Sequence, residues 1–154
     1  MKKLMLLFIA LFIAAGTYAQ PSYEEIDLIQ GMFGMEKKAM VADFVKIEES
    51  QKAAFWKLYD EYEAARKDLA KKRIDLFVDY SENYLKMTNE SADTWTKEAV
   101  NLGKKTDGLL LTYYNKIKKL TNPIVALQFY QFEQYILTNI RLRILSELPF
   151  PQTK

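Results

Sequence analysis

The chain has 154 residues with 22 basic and 20 acidic side chains, and it contains neither histidine nor cysteine. This length suits one domain rather than two, and the balanced charge argues against a strongly basic nucleic-acid-binding surface. The missing residue types exclude thiolate and imidazole zinc sites, histidine-ligated haem and Cys–His or Ser–His nucleophiles. We therefore expect no enzyme, no catalytic residue and no cofactor.

The first twenty residues, MKKLMLLFIALFIAAGTYAQ, have the layout of a secretory signal peptide. Lys2 and Lys3 precede an apolar run, and small residues follow it up to Ala19, after which cleavage is expected. The run is shorter than the ~20 apolar residues that span a bilayer. We expect residues 1–19 to be removed on export across the inner membrane, so that the mature chain has no stable membrane insertion.

A first helix is predicted from about Tyr23 to Val41, because Ile26, Ile29 and Phe33 recur on one helical face. The following VADFVKI has no clear period and is predicted to be a linker.

A long second helix is predicted from about Glu48 to Lys86. Its apolar residues are separated by steps that add up to whole helical turns. These residues are Phe55, Tyr59, Tyr62, Leu69, Leu76, Tyr80 and Tyr84.

Two further helices are predicted after the polar run MTNESADT. Asn89 or Ser91 is expected to cap the third helix, and Gly103 and Gly108 mark a possible kink within it. Thr121 or Asn122 is expected to cap the fourth, which has Pro123 in its first turn and ends before Pro149. The apolar stripe predicted for the third helix is Trp95, Ala99, Leu102, Leu109, Tyr113, Ile117 and Leu120.

These elements predict an all-α fold of about four helices after the signal peptide, with long antiparallel helices forming an elongated helical hairpin. Residues 20–148 would form a single domain and residues 149–154 a C-terminal tail. One layer of helices cannot cover both sides of its apolar stripe, so a homodimer is expected.

Acidic residues cluster twice, at Asp60, Glu61 and Glu63 and at Glu24, Glu25 and Asp27. On helices such clusters are usually solvated faces interleaved with lysines, so no metal site is assigned to them. The basic stretch ARKDLAKKR is likewise expected to face water.

Two stretches of the chain echo each other, IEESQKAAFWKLYDEY from Ile47 and LTNPIVALQFYQFEQY from Leu120. In this register Trp56 aligns with Phe129 and Tyr59 with Phe132. The pattern resembles the LTXXQ-motif family of periplasmic helical proteins (Spy/CpxP-like). The second copy has the leucine and threonine at Leu120 and Thr121 but Ile124 in place of the glutamine, whereas the first copy has only the glutamine, Gln51.

The resemblance implies a curved antiparallel dimer in the bacterial periplasm that binds unfolded or partly folded envelope proteins without ATP. The partner-binding residues are expected to be aromatics of the two copies, although the core is an alternative place for each of them. They are Phe55, Trp56, Tyr59, Phe129, Phe132 and Tyr135.

The alternative is a regulatory partner of a membrane stress sensor that docks on the periplasmic domain of the sensor kinase. Charged residues would then carry a salt-sensitive recognition. The candidates are Arg66, Lys71, Lys72 and Arg73.

Overall fold

The structure, a computed structural model, describes residues 36–151. Residues 36–44 form the described part of α1, and three long helices follow: α2, Glu49–Asn83; α3, Asn89–Leu120; α4, Pro123–Glu147. A short 3-10 turn, Tyr84–Lys86, follows α2. The predicted all-α fold is confirmed, and no strand occurs among residues 36–151. The predicted signal peptide and residues 23–35 of the first predicted helix lie outside the described residues.

The three long helices lie side by side, with α3 antiparallel to both of its neighbours. The Trp95 indole near the start of α3 donates to the Leu76 carbonyl late in α2, at 3.0 Å. Tyr114 near the end of α3 has its ring 6.1 Å from that of Tyr130 in α4. The helices α2 and α4 therefore run parallel, and Tyr80 of α2 donates to the carbonyl of Pro149 just beyond α4, at 2.6 Å.

The start of α4 is the one that the sequence indicates. The Asn122 side chain accepts hydrogen bonds from the backbone N–H groups of Ile124 and Val125, at 2.9 and 3.0 Å. Pro123 follows at a position where its missing N–H leaves no helical hydrogen bond unmade.

The start of α3 differs from the prediction, which named Asn89 or Ser91 as the cap. Thr88 is the N-cap, and its hydroxyl accepts from the Ser91 N–H at 3.1 Å. The Ser91 hydroxyl accepts from the Thr88 N–H in return, at 2.9 Å, which completes a capping box. Asn89 is the first helical residue.

The predicted linker VADFVKI is partly helical, which corrects its assignment. Residues 41–44 continue α1, and the Val45 N–H donates to the Val41 carbonyl at 2.8 Å. Lys37, Val41 and Val45 recur every four residues and are buried. The period was missed because its first member is a lysine.

The predicted end of the second helix at Lys86 also needs correction. The α-helix ends at Asn83, and the last predicted turn is the 3-10 segment. The two glycines at which a kink was predicted, Gly103 and Gly108, lie within the uninterrupted helix α3.

The aromatic and aliphatic stripes form the core between the long helices. The Tyr62 ring lies 5.5 Å from that of Tyr113 and 5.3 Å from that of Phe129, so it touches both neighbouring helices. The most buried apolar side chains of this core are Phe55, Tyr59, Tyr62, Leu110, Ile117, Ala126 and Phe129.

Candidate functional site

The structure brings the starts of the two echoing stretches together. The Gln51 side-chain amide of the first stretch donates to the Leu120 carbonyl of the second, at 3.2 Å. The Lys46 N–H, just before the first stretch, donates to the Gln128 side-chain oxygen at 3.0 Å. The start of α2 and the residues just before it therefore contact the junction where α3 ends and α4 begins.

The six predicted partner-binding aromatics differ in their exposure. Phe55, Tyr59, Phe129 and Phe132 are buried, Trp56 is half-buried, and Tyr135 has 57% of its surface exposed. The Tyr59 ring lies 6.4 Å from that of Phe129, edge to face. In the conformation described, four of the six residues therefore form core contacts, and only Tyr135 offers most of its surface to a partner.

An ion cluster lies under α1, between α2 and α4. The ammonium nitrogen of Lys37 is 2.7 Å from the Glu63 carboxylate and 2.6 Å from that of Glu133. Lys37 and Glu133 are both 0% exposed. Burying charges is costly unless they are paired and hydrogen-bonded, and Lys37 has both of its partners only while α1 lies against the other two helices.

Two further side chains complete the cluster. Arg66 donates two hydrogen bonds to Glu63, both at 2.9 Å. The Tyr62 hydroxyl donates to Glu133 at 2.8 Å, on the same oxygen that receives Lys37. Two cations therefore face two carboxylates, and the formal charges balance.

The environment shifts the pKa values of the two carboxyl groups in opposite directions. Burial alone would raise the pKa of Glu63, but the hydrogen bonds and charges of Arg66 and Lys37 outweigh it and hold this pKa below its usual value. Burial raises the pKa of Glu133, and the charge of Lys37 offsets that only in part. Glu63 is therefore the better-stabilised anion of the pair.

Aromatic rings close the cluster around the lysine. The Lys37 nitrogen lies 5.8 Å from the centroid of the Tyr59 ring and 5.6 Å from that of Tyr62, within reach of cation–π attraction. Burial, with the nearby carboxylates, raises the pKa of both phenols far above the usual value. Both phenols stay neutral, so they present π faces to the lysine, and the Tyr62 hydroxyl donates to Glu133.

Two buried oxygens at this cluster have no hydrogen-bond partner within the described part of the chain. They are the second carboxylate oxygen of Glu133 and the Tyr59 hydroxyl. Buried polar atoms are usually satisfied, so the cluster has unused hydrogen-bonding capacity next to the lysine.

Sequence reasoning missed this cluster. Glu63 and Arg66 were expected on solvated faces, but both are buried, which corrects those expectations. Asp60 and Glu61, the other members of that acidic group, are exposed as expected. A usable signal was present, since Glu63 and Glu133 lie on the same helical faces as the apolar residues Tyr59 and Phe129, four positions earlier.

The outer side of α4 carries a second feature, an exposed row of apolar residues. Successive residues of a helix are rotated by about 100°. On this basis the side chains of the row point within an arc of about 80°, on the side of α4 opposite its buried face. Ile124 is 69% and Leu142 67% exposed. We define the α4 stripe as Ile124, Leu127, Tyr135, Leu142 and Leu145.

Other kinds of site find less support in the part of the chain that the structure describes. Residues 36–151 contain no group of three or more acidic side chains placed to hold a metal ion. None of the described helices combines the length and apolar character needed to cross a membrane. Among the cations predicted for a regulatory interface, Arg66 is buried, Arg73 is half-buried, and Lys71 and Lys72 are exposed.

Comparisons with known proteins find no relative of this chain. No family model matches the chain, and no curated protein or solved structure matches it. Inference about function therefore rests on the ion cluster, the α4 stripe and the motif resemblance.

Proposed function

We propose that this protein is an exported, ATP-independent polypeptide-binding protein that holds apolar segments of envelope proteins against the α4 stripe. It would work in the periplasm, in the manner of the chaperones of the LTXXQ-motif family that its sequence resembles. The observation that carries the proposal is the exposure of five large apolar residues on one face of a single helix.

The helix α4 is apolar on two opposite sides. Its inner side carries Val125, Phe129, Phe132 and Ile136, all buried, while its outer side carries the α4 stripe. A helix that is apolar on two opposite sides is normally covered on both, and an exposed apolar patch of a few hundred Å² is often functional. The outer side therefore supports a binding role that the core does not require.

The stripe contains features suited to varied clients. Its apolar residues alternate with the exposed polar residues Gln131 and Thr138 on the same arc. Such a face offers non-directional hydrophobic contact with few fixed hydrogen bonds. It would accept different apolar segments and release them without an energy-consuming step.

The experiment is an aggregation assay with a chemically denatured enzyme as client and no nucleotide. We expect stoichiometric protein to lower the light scattering of the client. A Tyr135→Ser/Leu142→Ser chain should lose most of this effect, because it removes two large apolar groups from the stripe.

The matched control is Leu85→Ser/Leu111→Ser, which removes exposed apolar side chains from outside α4. We expect this control to suppress aggregation as well as the wild type does. The proposal is wrong if the wild type does not suppress aggregation, or if both double variants behave alike.

A single dominant partner recovered from an envelope extract would instead favour the sensor-regulating alternative. The exposed lysines Lys71 and Lys72 are the residues to replace in that case. Many unrelated partners favour the chaperone.

A further inference from the structure

The helix α1 lies in the cleft between α2 and α4 and contacts both walls. Lys37, Val41 and Val45 face the cleft and are buried, whereas Asp43 and Phe44 are exposed. One side of the described part of α1 thus makes the contact, with a lysine and then apolar residues four and eight positions later.

The walls that α1 covers include predicted partner-binding residues. Lys37 faces the Tyr59 ring, Lys38 lies 5.2 Å from the centroid of the Trp56 ring, and the Phe44 ring is 5.7 Å from that of Phe132. Their limited exposure therefore depends partly on α1. Without α1, the cleft would present aromatic walls and an acidic floor.

The attachment of α1 has features of a contact that can open. Among residues 36–45 only two apolar side chains, Val41 and Val45, are buried, so little hydrophobic burial holds this segment in the cleft. The favourable charge pairing of Lys37 is opposed by the cost of removing it and Glu133 from water. Residues 46–48, which join α1 to α2, form no regular structure.

The floor of the cleft matches the chemistry of a lysine ammonium group. Two carboxylates accept its hydrogen bonds at 2.7 and 2.6 Å, and two tyrosine rings face it. An ammonium group has three donors, and the unpartnered Glu133 oxygen and Tyr59 hydroxyl lie at the same cluster. The site therefore suits a cationic side chain such as lysine and has acceptors beyond those that Lys37 uses.

We propose that this cleft is a binding site for a helical polypeptide segment that presents a lysine with apolar residues four and eight positions after it. In the structure, α1 occupies the site as an internal competitor. The inference rests on the proposed function in taking a polypeptide as the occupant, but it uses a different surface from the α4 stripe.

The test measures binding of a fluorescein-labelled peptide, EKKAMVADFVK, which copies residues 36–46. The protein is the full mature chain, as wild type and as Lys37→Ala. We expect the peptide to bind Lys37→Ala at least about tenfold more tightly than the wild type, because the internal helix competes less well once its lysine is gone. Adding Glu133→Gln to Lys37→Ala should weaken peptide binding.

The peptide itself supplies a matched control. The Lys38→Ala peptide should bind like the parent, because Lys38 pairs with Asp60 at an exposed position. The Lys37→Ala peptide should lose binding. Equal loss from both peptides, or no binding to a Lys37→Ala chain that keeps its helical circular dichroism, would overturn the proposal.

Hydrogen exchange on the wild type keeps the inference testable if Lys37→Ala does not fold. We expect the Val41 and Val45 amides to exchange through a local opening, at least about a hundredfold faster than buried amides of α2 and α4. Exchange of all these amides at one global rate would show that α1 does not open separately.

Peptide binding without suppression of aggregation would reject the chaperone function and retain the cleft. Suppression of aggregation without peptide binding would reject the cleft alone.

Discussion

At the scale of single residues, the aromatic positions of the two echoing stretches have unequal roles. Phe129 is completely buried, whereas Tyr135, six residues later on the same helix, is more than half exposed. The difference follows from helical geometry, since the side chains of residues six positions apart point in directions about 120° apart. One repeat therefore supplies both a core residue and a surface residue.

Phe129→Ala should lower the free energy of unfolding by about 3–5 kcal/mol, because it removes a buried ring and leaves a cavity. Tyr135→Ala should change it by about 0.5 kcal/mol or less, as for other surface positions. Urea unfolding followed by circular dichroism measures both. A large loss from Tyr135→Ala would show that its ring is covered in solution.

The Glu63 carboxylate makes stability depend on pH in a defined direction. Its pKa in the folded chain lies below the usual 4.5. A group with a lowered folded-state pKa contributes stability above its unfolded value and loses it as the pH falls through the folded value. The stabilisation by Glu63 is therefore complete at neutral pH and lost in acid.

Glu63→Gln should consequently destabilise the protein most at about pH 7, and the difference from the wild type should shrink towards about pH 3. Urea unfolding across this range measures it. The raised pKa of Glu133 acts in the opposite sense, with stability lost as the pH rises. The charge of Glu63 contributes to that rise, so its replacement partly relieves it, and the measured difference is the net of the two effects. Glu61→Gln is the control, since Glu61 is exposed and its nearest cation, Lys116, lies 3.8 Å away. A pH-independent difference for Glu63→Gln would contradict this assignment.

At the scale of elements, the long helices differ in how firmly their sequences specify them. A capping box starts α3 and an asparagine cap starts α4, whereas Glu48 before α2 makes no side-chain capping bond. The start of α2 is instead tied to its neighbour by the Gln51 bond to Leu120. Its beginning therefore depends on tertiary contact more than those of the other two helices.

Gly108→Ala should raise the free energy of unfolding by up to about 1 kcal/mol, the cost of glycine in a helix interior. Gly108 lacks a positive φ, and a methyl group there would meet no atom within 4 Å. Thermal and urea unfolding measure the gain. Ala54→Gly, at an exposed helical position of α2, is the reverse control and should lower stability by a similar amount. A loss on Gly108→Ala would indicate that α3 is locally distorted at this glycine.

At the scale of the whole molecule, the α4 stripe bears on the expected homodimer. From Ile124 to Leu145 it extends about 32 Å along the helix, and a helix about 10 Å wide gives roughly 300 Å² per copy. Stable interfaces bury about 800 Å² per partner. Pairing through the α4 stripe alone would therefore be weak.

Sedimentation velocity on the mature chain should show a monomer at low concentration and reversible dimerisation only as the concentration rises. Tyr135→Ser/Leu142→Ser should remove the concentration dependence. A dimer that persists at nanomolar concentration, or one that the double variant leaves unchanged, would place the interface elsewhere.

The sequence by itself determined the three long helices and the apolar rows along them. The helical spacing of apolar residues predicted α2, α3 and α4, and the Asn122–Pro123 pair located the start of α4. These features are local, since helical periodicity and capping involve residues only a few positions apart. The same reasoning predicted that α1 ends at about Val41, which is too early. Lys37 shares a buried row with Val41 and Val45, but a lysine considered alone is expected at the surface.

Only the tertiary structure decided which polar residues are buried and which apolar residues are exposed. Lys37, Glu63 and Glu133 come from three helices and meet through contacts 26 and 96 positions apart in the chain, which no short spacing reveals. Likewise, both sides of α4 are apolar, and helical period alone cannot say which side faces α2 and α3. The physical reason is that burial depends on what packs against a face, whereas the sequence shows only the face itself.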